Sequence, residues 1–311
     1  MNVVVTGSIA FDYLMTFPGY FKDHILPDQI AKLSVSFLVD SMRKLRGGVA
    51  PNIAYSLALL GEHAIVMGTA GRDFAEYRAW LDEHGVDTSA IVEMPDDFTS
   101  SFFVSTDRDN NQIASFYIGA MAHASKLSFH DLKQPVDLAI ISPNDPEAMR
   151  KYPRECKALG IPYLYDPSQQ IIRLSGDDLR EGIAGCKMLV VNDYEFEMIR
   201  NKTGWSEQQV LDCAPIFIVT RGGDGSTIWA DGQRYEIPVA RPNCVADPTG
   251  VGDAYRAGLV KGMSLGLSWD VAGRMGSLAA TYVLEQPGTQ SHAYTWDEFV
   301  ARYCENFGPF A

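Results

Sequence analysis

The chain has 311 residues, 46% of them hydrophobic and 11% aromatic, ample for a packed interior, and no low-complexity stretch suggests a disordered tail. Its formal net charge of −13 argues against nucleic acid, whose phosphates demand clustered Lys and Arg, yet leaves room for a single nucleotide held by backbone N–H groups. Five scattered cysteines without a C-x-x-C pair read as reduced thiols, no apolar run approaches a membrane span, and the first residues lack a basic leader, so a cytoplasmic protein is expected.

Short β-branched runs alternate with longer amphipathic stretches, the pattern of βαβ units and a mainly parallel sheet. In chain order the expected strands are Val3–Thr6, Ala64–Gly68, Leu138–Ser142, Pro162–Tyr165, Met188–Val191 and Ile216–Thr220. The expected helices are Asn52–Leu60, Phe74–His84, Pro146–Leu159, Tyr194–Lys202, Gly252–Gly266 and Trp269–Glu285. Two segments break the rhythm, 13–46 and 98–119; in the second, Thr99–Ser105 and Gln112–Tyr117 flank a turn-like Asp107-Arg108-Asp109-Asn110-Asn111. Both are assigned to one small β-rich lid over the carboxyl edge of the sheet, with residues 1–12, 47–97 and 120–311 forming the α/β core.

The sharpest chemical signal is Asp247-Pro248-Thr249-Gly250-Val251-Gly252-Asp253-Ala254-Tyr255-Arg256-Ala257-Gly258, a Gly-rich turn running straight into a helical pattern. Glycines at 250 and 252 allow a tight turn and close approach of a ligand, and the first N–H groups of a helix have no intrahelical partners. The segment Gly250-Val251-Gly252-Asp253 is therefore an anion hole able to stabilise charge on a migrating phosphoryl group. Asp253, in the first turn, is placed to accept a hydroxyl proton as general base; the bland alternative is a carboxylate capping its own helix.

Competing signatures are weaker. No G-x-x-x-x-G-K-[ST] occurs, nor a strand followed by G-x-G-x-x-G, which excludes a P-loop and a dinucleotide fingerprint. Gly262-Met263-Ser264-Leu265-Gly266 matches the hydrolase elbow formally but closes a helical stretch instead of following a strand. His24, His63, His84, His123, His130 and His292 show no metal-ligand spacing, so no structural metal is expected.

The Asp247–Gly258 segment resembles the D-T-x-G-A-G-D-x-F-x-x-G signature of the ribokinase (PfkB) family of carbohydrate and nucleoside kinases, departing mildly at Pro248, Val251 and Tyr255. Gly47-Gly48-Val49-Ala50-Pro51-Asn52-Ile53-Ala54 resembles the family's G-G-x-x-x-N substrate element, Asn192-Asp193-Tyr194-Glu195 its N-x-x-E element, and Val219-Thr220-Arg221-Gly222-Gly223-Asp224-Gly225 its strand-to-loop segment bordering the nucleotide. Alone, each has a plain structural reading: a turn, a helix cap, a hairpin connection. In family order they imply a ribokinase-like three-layer α/β/α core with a β-rich lid, using ATP and Mg²⁺, with Asn192 and Glu195 ordering the metal through water and Thr220, Gly222 and Gly225 at the nucleotide. Dependence on a monovalent cation such as K⁺, and a homodimer through the lid, are left open by the resemblance.

Further stretches, among them Val5–Asp12, Leu33–Asp40, Gln112–Tyr117, Asn144–Met149 and Asp166–Gln170, resemble bacterial adenosine kinases of the actinobacterial type. That resemblance implies phosphorylation of the adenosine 5′-hydroxyl, with Asp12, Gly48 and Asn52 at the ribose hydroxyls, Ser8 and Ser36 near base or sugar, and Gln169, Gln170 and Arg173 along the opposite wall. Phe102 and Phe116, on the lid hairpin, are candidates to sandwich the purine, with packing inside the lid as the alternative. A kinase of ribose, fructose, inosine or guanosine is the competing enzyme reading. A non-catalytic sugar or nucleotide sensor is the reading from another class.

Overall fold

The short β-branched runs and the amphipathic stretches between them assemble, in a computed structural model describing residues 1–25, 28, 32 and 34–310, into two sheets and their covering helices. The strands are β1 (Asn2–Thr6), β2 (Ala10–Thr16), β3 (Ser41–Gly47), β4 (His63–Gly71), β5 (Ile91–Met94), β6 (Ser100–Thr106), β7 (Gln112–Tyr117), β8 (Leu138–Ile141), β9 (Tyr163–Tyr165), β10 (Met188–Asn192), β11 (Ile216–Thr220), β12 (Ser226–Ala230) and β13 (Gln233–Ile237). The α-helices are α1 (Val49–Leu59), α2 (Ala75–Glu83), α3 (Pro146–Leu159), α4 (Gly176–Ile183), α5 (Asp193–Thr203), α6 (Glu207–Cys213), α7 (Val251–Ser264), α8 (Trp269–Leu284) and α9 (Trp296–Phe307).

The large sheet runs β13-β12-β11-β10-β9-β8-β1-β4-β5. The strands expected from sequence are its consecutive parallel centre, β11 to β4, while β12 and β13 add an antiparallel edge. Central strands are apolar on both faces because helices cover both: Val3 and Val5 face the cluster shared with α1, α7, α8 and α9, whereas Val4 faces the cluster shared with α3 and α4. The result is a three-layer α/β/α core.

The second sheet, β3-β2-β6-β7, pairs β2 with β6 in parallel and is antiparallel elsewhere. It begins at Ala10, so Asp12 stands inside a lid strand, although residues 1–12 were expected to belong to the core. Leu33, the start of one stretch used for the subgroup resemblance, lies outside the described residues. No described helix is long and apolar enough to cross a membrane.

Candidate active site

Parallel strands all deliver their carboxyl ends to one side of the sheet, and the groups gathered there are Asn192 at the end of β10, Thr220 at the end of β11 and Asp166 just after β9. The small sheet stands over this edge and encloses a cleft of about 520 Å³. Gly48 sits at its hinge with φ of 94°, where a Cβ would meet Ser8 O at 2.5 Å and Ala10 N at 2.6 Å, so only glycine fits. Ser8 Oγ accepts the N–H of Val49 at 3.2 Å, fixing the start of α1 at the same corner.

The floor is the N-terminus of α7. Gly250 is its N-cap at φ 78° and carries no side-chain cap, and the N–H groups of Gly252 and Asp253 have no partner among the described residues. A helix end left this way is an anion site. Asp253 is buried, and its Oδ2 accepts the Asn52 Nδ2–H at 2.8 Å. The Asn52 amide cannot be turned over, because its Oδ1 accepts from Thr289 Oγ1 at 2.8 Å and from Gln290 Nε2 at 2.7 Å. Burial pushes the Asp253 carboxyl up to about 6, against the downward pull of Arg256 and of the Asn52 hydrogen bond. A carboxylate at that value is ionised at neutral pH yet more basic than an exposed one, as a general base requires.

Across the cleft, Asp12, Phe102 and Phe116 are register partners on β2, β6 and β7, so they form one row on one face of the lid. Asp12 fits there because Gly47 lacks a side chain: a Cβ at 47 would come within 2.5 Å of Asp12 Oδ2. Burial, with Asp247 nearby, pushes the Asp12 carboxyl up to about 6. On the other face Tyr13 stacks on Phe103 with centroids 4.7 Å apart. Alternation thus separates lid-packing aromatics from cleft-facing ones.

A second cleft, of about 440 Å³, lies on the far side of the glycine turn and shares Asn192, Thr220, Pro248 and Gly252 with the first. Val239, Val251, Tyr255, Ala280 and Leu284 make it apolar, and Gly222 and Gly225 form its rim. The anion hole therefore sits between a polar, acid-lined cleft and an apolar one, an arrangement suited to an acceptor on one side and a nucleotide base on the other.

Of the residues expected from sequence, Ser8, Asp12, Gly48, Asn52, Phe102, Phe116, Gln169, Asn192, Glu195, Thr220, Gly250, Gly252 and Asp253 line the first cleft, and Val251, Gly222 and Gly225 the second. Three do not. Ser36 and Arg173 are exposed and Gln170 is buried, none of them on the cleft wall. Asn192 and Glu195 also realise the plain alternative: they form a capping box on α5, with Glu195 N to Asn192 Oδ1 at 2.7 Å and Asn192 N to Glu195 Oε2 at 2.8 Å. Likewise Gly222 to Gly225 does connect antiparallel strands. The residues of the cap also line the cleft, so the two readings coexist.

Sequence reasoning missed Asp166, Arg256 and Thr289. Asp166 is fully buried, its Oδ1 lies 2.7 Å from Arg256 Nη2, and neither of its oxygens has an aligned hydrogen bond. Burial raises its pKa, and the neighbouring Arg256 pulls the other way. Burial likewise works against the charge on Arg256, but Asp166, Asp253 and Glu195 outweigh it and hold the guanidinium protonated. The legible signal for Arg256 was its spacing, one helical turn beyond Asp253.

A Gly-rich helix start holding a buried base, set between an acceptor cleft and an apolar cleft, defines a phosphotransferase acting on an alcohol group. The model of the pfkB family carbohydrate kinases matches residues 7–296, and the chain belongs to that family. It is 30% identical over 304 residues to a nucleoside kinase of Methanocaldococcus jannaschii, covering 97% of this chain and 96% of the relative. The solved nucleoside kinase of Burkholderia thailandensis with inosine superposes at a TM-score of 0.90 and 36% identity, covering 99% of this chain and 100% of that one. The same enzyme with ADP-inosine gives 0.86 and 39%, covering 98% and 96%. These relatives are nucleoside kinases from an archaeon and from Burkholderia, which supports the broader nucleoside-kinase expectation and not specifically an actinobacterial adenosine kinase.

Proposed function

We propose that this protein transfers the γ-phosphoryl of ATP to the 5′-hydroxyl of a purine nucleoside. The observation that carries this reading is the row Asp12–Phe102–Phe116 facing Asp253 across one cleft. A carboxylate accepting vicinal ribose hydroxyls and two rings able to stack on a flat base fit a nucleoside better than a free sugar. The inosine and ADP-inosine complexes of the Burkholderia relative support inosine at least as well as adenosine.

The substrate hydroxyl gives its proton to Asp253 as it attacks, the freed N–H groups of Gly252 and Asp253 hold the phosphoryl oxygens, and lid closure excludes water that would otherwise hydrolyse ATP. Mg²⁺ fits the donor set: Asp166 offers its buried Oδ2, which has no partner while Oδ1 rests against Arg256, beside Glu195 and Asn192, all hard oxygen donors. Bound with the nucleotide, Mg²⁺ would neutralise phosphate charge in a cleft whose walls carry Asp12, Asp166, Glu195 and Asp253. Free thiols at all five cysteines favour a cytoplasmic setting. Exposed Ile113 and Tyr117 on β7 favour pairing of two copies through the lid, which light scattering measures. The test of function is ADP release with purine nucleosides against ribose and fructose, run with and without K⁺ to probe the monovalent-cation expectation.

A further inference from the structure

Among the described residues that line the acceptor cleft, Arg256 is the single cation against four carboxylates. It is 7% exposed, and a buried guanidinium has five N–H donors to satisfy. The protein satisfies few of them. Nη2 meets Asp166 Oδ1 at 2.7 Å without hydrogen-bond alignment, Nη1 donates one long hydrogen bond of 3.4 Å to Asp253 Oδ1, and Nε has no partner. A purely structural buried ion pair is expected to be bidentate and aligned, because leaving charged donors unpaired is costly. Here the donors are held in reserve.

Their position indicates for what. Nη1 packs against Gly252, so closely that a Cβ there would lie 3.0 Å from it, and Gly252 and Asp253 contribute the free N–H groups of the anion hole. The guanidinium is thus beside both the base and the phosphoryl site, tethered from behind by Asp166.

We propose that Arg256 is a catalytic residue whose guanidinium donates to the non-bridging oxygens of the phosphoryl group in transit. In that step the acceptor oxygen forms its bond to the γ-phosphorus while the bond from that phosphorus to the β–γ bridging oxygen breaks. The hydroxyl proton passes to Asp253, ADP leaves with the bond's electron pair, and Arg256 ends unchanged. This rests on the phosphotransferase reading of the site, and on the nucleoside reading for the choice of acceptor. A cationic finger in such a transition state is worth about 10³-fold or more in kcat.

The experiment compares wild type, Arg256→Lys and Arg256→Gln by steady-state kinetics with inosine and by titration of MgADP alone and of MgADP with fluoroaluminate and inosine, the latter mimicking the transferring group. Arg256→Gln is expected to lose about 10³-fold in kcat with KM for inosine changed less than about threefold; Arg256→Lys, which keeps charge but not the fork, should fall between. Affinity for MgADP alone should hold within about threefold while fluoroaluminate trapping weakens by at least about tenfold. Equal losses in both titrations, or kcat within about threefold of wild type, would overturn the proposal. Should Arg256→Gln not fold, Arg256→Lys decides it by the same titration pair. A wild-type protein that phosphorylates no nucleoside overturns the nucleoside reading instead, and any sugar it does accept then replaces inosine in the same comparison.

Discussion

At the scale of single residues, Asp253 combines a chemical asset with a stability cost. Burial pushes it from the ordinary 3.8 to about 6, so kcat should fall as the pH drops through about 6, where the base takes up its proton. Asp253→Asn keeps the shape without the basicity and should lose about 10²-fold or more in turnover while nucleoside and ATP still bind, as calorimetry would record. Stability should move the other way. A folded-state value above the unfolded one means that the folded protein takes up the proton first, so the cost of ionisation is full above about pH 6 and is relieved as the pH falls through the ordinary value. That displacement corresponds to on the order of 3 kcal/mol. Asp253→Asn should therefore raise Tm at pH 8 and lose the advantage by about pH 4, which thermal scans at the two pH values would test; equal Tm at both would mean the carboxylate is not strained by burial. Asp253, Asn52 and Asp12 were legible because each sits in a local pattern. Asp166, Thr289 and Gln290 were not, since their parts are defined by contacts far apart in the chain, Asp166 with Arg256 and both Thr289 and Gln290 with Asn52.

Among the elements, the α5 capping box shows how one local motif serves two ends. Glu195→Ala removes a cap partner and a cleft-lining carboxylate together, so it should raise the Mg²⁺ needed for half-maximal rate and lower stability by about 1 kcal/mol. Unchanged metal dependence in a Mg²⁺ titration would leave Glu195 as a cap alone. The same motif was the overlooked clue to the helices that periodicity did not reveal. α4, α6 and α9 begin with Ser175/Asp178, Ser206/Gln209 and Thr295/Glu298 capping boxes, each readable in sequence, but α4 and α6 span fewer than three turns and show too little periodicity to stand out. In the lid, alternation was readable on the hairpin and less so on β2 and β3, where Arg43, Lys44 and Arg46 hide the strand pattern. Because Phe102 and Phe116 share the Asp12 face, Phe102→Ala and Phe116→Ala should cost about 5- to 150-fold on a nucleoside, the equivalent of about 1–3 kcal/mol of stacking, with little effect on residual sugar activity. Equal losses on both substrates would assign the rings to lid packing.

For the whole molecule, the parallel centre of the sheet was legible because a strand buried on both faces reads as an uninterrupted apolar run. The antiparallel edge was not, as β13 alternates polar and apolar residues like any exposed strand. What no local pattern could show is the division into two clefts meeting at the start of α7, since that depends on β9, β10, β11 and the lid converging from distant parts of the chain. The proposed function rests on that division: the apolar side is proposed to take the nucleotide, the acid-lined side the acceptor, and the lid row to select a base-bearing acceptor. The direct test is a coupled ADP-release assay over inosine, adenosine, guanosine, ribose and fructose at saturating MgATP. The account predicts a kcat/KM for at least one purine nucleoside about tenfold or more above either sugar. A preference for ribose or fructose, or no ADP release with any nucleoside, would contradict it.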